Sequence, residues 1–168
     1  MENHLSVQPI LELASKRNYI KSVLLTCNTT QELEYNLRIA PNRNGYGILY
    51  FAFHGLPGQI IMAGSSADLE TIAGFMGKRF SNWIVHFGSC DTFRIEKTRI
   101  FDFMKDTNAL MAIGYKRRAD WMESSAVDLL LLDWLQFYKD MRKFWNRFRR
   151  AYKGLIRATG LEAFHRDF

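Results

Sequence analysis

The chain has 168 residues, 48% of them hydrophobic, 24% charged and 14% aromatic, the make-up of one soluble globular domain (1–168) that can bury a core without disulfides or metal. Its net charge is +6, yet eight basic residues (Lys139, Arg142, Lys143, Arg147, Arg149, Arg150, Lys153 and Arg157) stand against one acid, Asp140, between 139 and 157, so the rest of the chain is nearly neutral. No basic stretch followed by an apolar one opens the chain, and the longest aliphatic run, Val127 to Leu132, is interrupted by Asp128 and far too short for a bilayer. The expectation is a cytoplasmic protein with no membrane span.

Taken in chain order, Ser6 to Lys16 reads as a short helix, with Ser6 as N-cap and Val7, Ile10, Leu11 and Ala14 on one face. Tyr19 to Cys27 is β-branched and apolar, which predicts a strand. Thr30-Gln31-Glu32-Leu33 opens a helix that Pro41-Asn42-Arg43-Asn44-Gly45 closes. The run from Tyr46 to Phe53 predicts a second strand, followed by His54-Gly55, a Leu56-Pro57-Gly58 turn and a short return strand at Gln59 to Gly64. Ala67 to Phe80 reads as a helix, Trp83 to Phe87 as a strand, Ile100 to Lys105 as a short helix and Ala109 to Tyr115 as a buried strand. Alternation of this kind predicts βα units and a mostly parallel sheet.

From Leu131 onward, Trp134, Tyr138, Met141, Trp145, Phe148, Tyr152 and Leu155 recur at steps of four and three, with the cations between them. The helical region 126–158 is therefore expected to be one long basic amphipathic helix, or two in line. Its apolar seam should dock on the sheet or receive a partner or a second protomer. Nucleic acid is not expected as a partner, since charge is accompanied by no glycine-rich phosphate loop, helix-turn-helix or aromatic RNA-binding motif.

Two strand ends carry the chemistry. His54-Gly55 follows one predicted strand and Gly88-Ser89-Cys90-Asp91-Thr92 follows another, so a base and a nucleophile should meet at the carboxyl edge of a parallel sheet. The amides of Gly55 and Cys90 are candidates for stabilising a developing oxyanion. Asp91 could orient His54 or read a basic substrate side chain. His86 reads as a buried, hydrogen-bonded core histidine. Cys27 and Cys90 read as free thiols, and the cysteines and histidines lack the paired short spacings of a zinc site, so no metal or cofactor is expected.

The segments Tyr50-Phe51-Ala52-Phe53-His54-Gly55 and His86-Phe87-Gly88-Ser89-Cys90-Asp91-Thr92 resemble the motifs of CHAT and wider caspase-like cysteine peptidases, separases included. Asn108 to Tyr115 is similar to their post-catalytic strand, and Asp120-Trp121 with Ser125 to Leu132 fits their downstream pattern, so the resemblance spans about residues 19 to 135. It implies a three-layer α/β sandwich with a mostly parallel central sheet flanked by helices. It also implies a regulated endopeptidase with His54 and Cys90 as the dyad, acting on protein or peptide substrates, in bacteria frequently within anti-phage or cell-death systems. The alternative is a non-catalytic caspase-like scaffold that binds a partner or self-associates through its C-terminal helix.

Overall fold

A computed structural model describes residues 7–17 and 19–166. Its central sheet has four strands in the order β1 (Ile48–Phe51), β5 (Ile84–Phe87), β6 (Met111–Tyr115) and β7 (Leu161–His165). The first three are parallel, and β7 runs antiparallel along β6. Both β5 and β6 are buried along their whole length. That explains their near-continuous hydrophobic runs, since a parallel sheet is covered on both faces.

Side-chain alternation divides the core in two. Val85 and Phe87 of β5 face a cluster built with Leu33 and Leu37 of α2 (Thr30–Ile39), Ile72 and Met76 of α3 (Leu69–Met76), and Ile100 and Phe103 of α4 (Lys97–Thr107). Ile84 of β5 with Met111, Ile113 and Tyr115 of β6 face the other, built with Val127 and Leu131 of α5 (Trp121–Leu135) and with Met141, Phe144 and Phe148 of α6 (Met141–Ala151). The result is helix, sheet, helix. Helix α1 (Gln8–Ser15) packs on α5, and α7 (Lys153–Thr159) lies between α6 and β7.

Between β1 and α3 the chain builds a small antiparallel sheet from β2 (His54–Leu56), β3 (Gln59–Ile61) and β4 (Ser66–Asp68). Pro57-Gly58 makes the β2–β3 turn, and Gly58 supplies the positive φ (+72°) that its second position requires. This sheet carries His54 and sits beside the carboxyl ends of the central strands.

Besides β2 and β4, which were not expected as strands, four elements differ from the sequence-based expectation. Helix α1 begins at Gln8 after Val7, whose side chain makes no cap; the expected cap, Ser6, lies outside the described residues. Tyr19 to Cys27 forms no strand. Tyr19 Oη donates to Asp133 of α5 (2.6 Å), whereas Cys27 packs on the α2 side and accepts from Asn36 Nδ2 (2.9 Å). The segment thus crosses from one helical layer to the other with Lys21 to Leu24 exposed, and that crossing overrides β propensity.

The C-terminal third is three helices, not one long one or two in line. Asp140, the single acid of the basic stretch, caps α6 by accepting from Lys143 N (2.8 Å), and Tyr152 (φ −119°, ψ 34°) breaks α6 from α7. The fourth difference is β7, which was not expected: Gly160 ends α7 in the left-handed region (φ +69°) and releases Leu161–His165 to pair with β6.

Candidate active site at the carboxyl edge of the sheet

The turn after β5 is fixed from both sides. Gly88 N donates to Phe51 O (3.0 Å) at the end of β1, while Phe93 N donates to Tyr115 O (3.0 Å) at the end of β6. Between these anchors lies Cys90, half-buried, with Sγ 3.9 Å from Ala119 O. Asp91 takes a positive φ (60°), a conformation that a short polar side chain tolerates, and the turn closes through Arg94 N to Asp91 O (2.8 Å). The hydroxyls of Ser89 and Thr92 bracket Cys90, both fully buried and neither with a hydrogen-bond partner among the described residues. Such orphans are rare in native cores.

The hairpin bearing His54 is docked on this turn. Gly58 N, at the hairpin tip, donates to Thr92 O (3.0 Å). Gly55 meets the turn so closely that a Cβ there would overlap the Cys90 carbonyl oxygen and lie 2.6 Å from Thr92 Oγ1. Only glycine fits. Met62 N donates to Ser65 O (2.8 Å), so by strand alternation Ile60 bonds toward Ala67 on β4, and Gln59 and Ile61 bond toward β2. Gly55, opposite Ile60, is thereby left with its amide directed out of the free edge of β2. The Cys90 amide donates to no group among the described residues.

His54 itself is exposed, and no hydrogen bond joins its imidazole to Cys90. The Asp91 carboxylate lies 3.6 Å from Arg94 Nε, and no hydrogen bond joins it to His54 among the described residues. His54 opens β2 instead of closing β1, which ends at Phe51; the strands upstream of the two residues, β1 and β5, are parallel neighbours, with Tyr50 opposite His86 and Phe51 opposite Phe87.

Beneath the Cys90 turn lies a buried polar cluster that the sequence reading missed apart from His86. Asp128 of α5, 3% exposed, is its hub: its Oδ1 lies 2.7 Å from His86 Nε2 and accepts from Tyr115 Oη (2.5 Å), and its Oδ2 accepts from Tyr50 Oη (2.6 Å). Three strands and a helix are tied through one carboxylate. Burial, and then the Asp128 charge, push both phenols well above the usual tyrosine range, so they stay protonated as donors. Gly88 permits this path, because a Cβ there would lie 2.5 Å from Tyr50 Oη. The sequence signal was a lone acid inside the apolar run of α5, which only a buried partner could justify.

The remaining predicted groups lie elsewhere. Cys27 is unpaired like Cys90, and burial raises its thiol pKa. No cluster of three or more His, Cys, Asp or Glu among the described residues could hold a metal, and no described helix is long and apolar enough to cross a membrane. Of the expected seam, Met141 and Phe148, with Phe144 beside them, are at most 1% exposed and face the chain's own core, while Trp134, Tyr138, Trp145, Tyr152 and Leu155 are partly buried against it.

No curated protein and no solved structure matches the chain. One family model, described as a family of unknown function (DUF6642), matches residues 1–164, and the chain belongs to that family.

Proposed function

We propose that this protein is a cysteine peptidase of the CHAT and caspase-like type, with Cys90 as nucleophile and His54 as proton carrier. The observation that carries the reading is the docking of the β2–β3 hairpin on the Cys90 turn, through Gly58 N to Thr92 O and the close approach of Gly55. A lone strand-end cysteine in a structural role would not need a histidine-bearing hairpin held against it by a glycine.

In the proposed reaction, the Cys90 sulfur attacks the peptide carbonyl carbon and its thiol proton passes to His54. Charge then grows on the carbonyl oxygen, facing the amides of Gly55 and Cys90. The carbon–nitrogen bond breaks as His54 returns the proton to the departing amine, leaving a thioester on Cys90. His54 next takes a proton from water, the hydroxide adds to the thioester, and the acid leaves as Cys90 regains its proton. A standing bond between imidazole and thiol is not required, because the substrate carbonyl lies between them and the catalytic contacts tighten only in the complex. The buried Asp128 cluster has a positioning role, fixing β1, β5 and β6 so that the two strand ends stay in register.

The test is cleavage of a mixed peptide library followed by mass spectrometry. Cleavage by the native chain and none by Cys90→Ala, with unchanged circular dichroism, is the expected outcome. Equal cleavage by both would overturn the assignment.

A further inference from the structure

Seven of the eight cations between Lys139 and Arg157 (Arg142 aside) make no ion pair among the described residues, although cations elsewhere, such as Arg38, Arg99 and Lys116, are paired. On α6 the exposed Arg142, Lys143, Arg147, Arg149 and Arg150 occupy one side and the buried Met141, Phe144 and Phe148 the opposite side. At its N-terminal end lies a surface depression of about 430 Å³ lined by Phe137, Tyr138, Lys139, Asp140, Lys143 and Arg147. Phe137 is 65% exposed there and meets the edge of a second exposed ring, Tyr19, at 5.2 Å. Beyond that contact with Tyr19, a large apolar ring stands in water beside the cations Lys139, Lys143 and Arg147.

We propose that this face binds single-stranded nucleic acid, the cations tracking the phosphates and Phe137 stacking on an unpaired base. Cations beside an exposed aromatic are what single-strand surfaces combine, since every base offers a π-face and every nucleotide a charge. An anionic bilayer fits less well. Membrane-surface helices insert an apolar face, and that of α6 is already spent on the core. A duplex keeps its bases stacked inside and gives Phe137 nothing to cover. The sequence alone argued against nucleic acid because its charge came with no glycine-rich phosphate loop, helix-turn-helix or aromatic RNA-binding motif; the fold brings Phe137 and Tyr19 to the basic face.

The experiment is fluorescence anisotropy of the whole chain with labelled DNA and RNA single strands of about 12 nucleotides, within the site sizes of such surfaces, and with the matching duplex. Both single strands should bind, with log affinity falling linearly against log salt. Phe137→Ala should weaken binding by about tenfold, and Lys143→Glu with Arg147→Glu by more, all at exposed sites and with melting curves confirming the fold. Absence of binding at low salt would overturn the proposal. So would indifference to Phe137→Ala, equal affinity for duplex, or stronger binding to phosphatidylserine vesicles than to either single strand. None of these readouts depends on peptide hydrolysis.

Discussion

Gly55 is the residue on which the site geometry turns. Its missing side chain lets the His54 hairpin lie on the Cys90 carbonyl, so Gly55→Ala must push the hairpin off the turn. Overpacking of this kind costs about 1–3 kcal/mol, visible as a lower denaturant midpoint, and peptide cleavage should fall with it. Asp128 has the larger structural effect. Asp128→Ala leaves His86, Tyr50 and Tyr115 buried without their shared partner and should cost about 3–5 kcal/mol in urea unfolding. The two phenols also set an alkaline limit. Folding holds them protonated while the unfolded chain releases those protons near pH 10, so their contribution is complete below that pH and is lost as pH rises above it. Thermal melts should show this decline, and Tyr50→Phe with Tyr115→Phe should flatten it. His54 and Cys90 stood out as candidates in the sequence because each lies just beyond an apolar run, His54 directly before Gly55 and Cys90 two positions after Gly88. The role of Asp128 was not, because it meets His86 and Tyr50 across 42 and 78 positions of sequence.

Among the elements, β5 and β6 could be read directly, since strands buried on both faces leave a hydrophobic run with no helical period, and β1, partly buried at the sheet edge, carries a similar run. The strap from Tyr19 to Cys27 misled for the complementary reason: its β-branched composition is that of a strand, but its two ends are held in different layers. The C-terminal helices show how a regular spacing can hide a break. Trp134, Tyr138 and Met141 keep the apolar rhythm across the gap between α5 and α6, and only Asp140, as cap, marks the new start. Because α6 is docked internally, Phe148→Ala should destabilise the fold by about 3–5 kcal/mol without changing the mass in solution. Calorimetry beside light scattering measures both, and a change of oligomeric state with unaltered stability would contradict the internal docking.

At the scale of the whole molecule, both proposed sites draw on one architecture. The parallel order of β1, β5 and β6 gathers the ends of β1 and β5 at one edge, where the small antiparallel sheet docks on the Cys90 turn through Gly55 and Gly58. The helical layer beneath spends its apolar side on the core and turns its cations outward. Fold and chemistry are separable here, since a sandwich of this kind can hold a site without using it. The most direct test is therefore made at the sulfur, with Cys27, half-buried and remote in sequence, as internal control. A peptidyl acyloxymethyl ketone library is reacted with the native chain and with His54→Ala, and the modified cysteine is mapped by mass spectrometry. The account predicts a thioether on Cys90 alone in the native chain and none in His54→Ala. Equal modification of Cys27 and Cys90, or labelling of Cys90 that ignores the loss of His54, would contradict it.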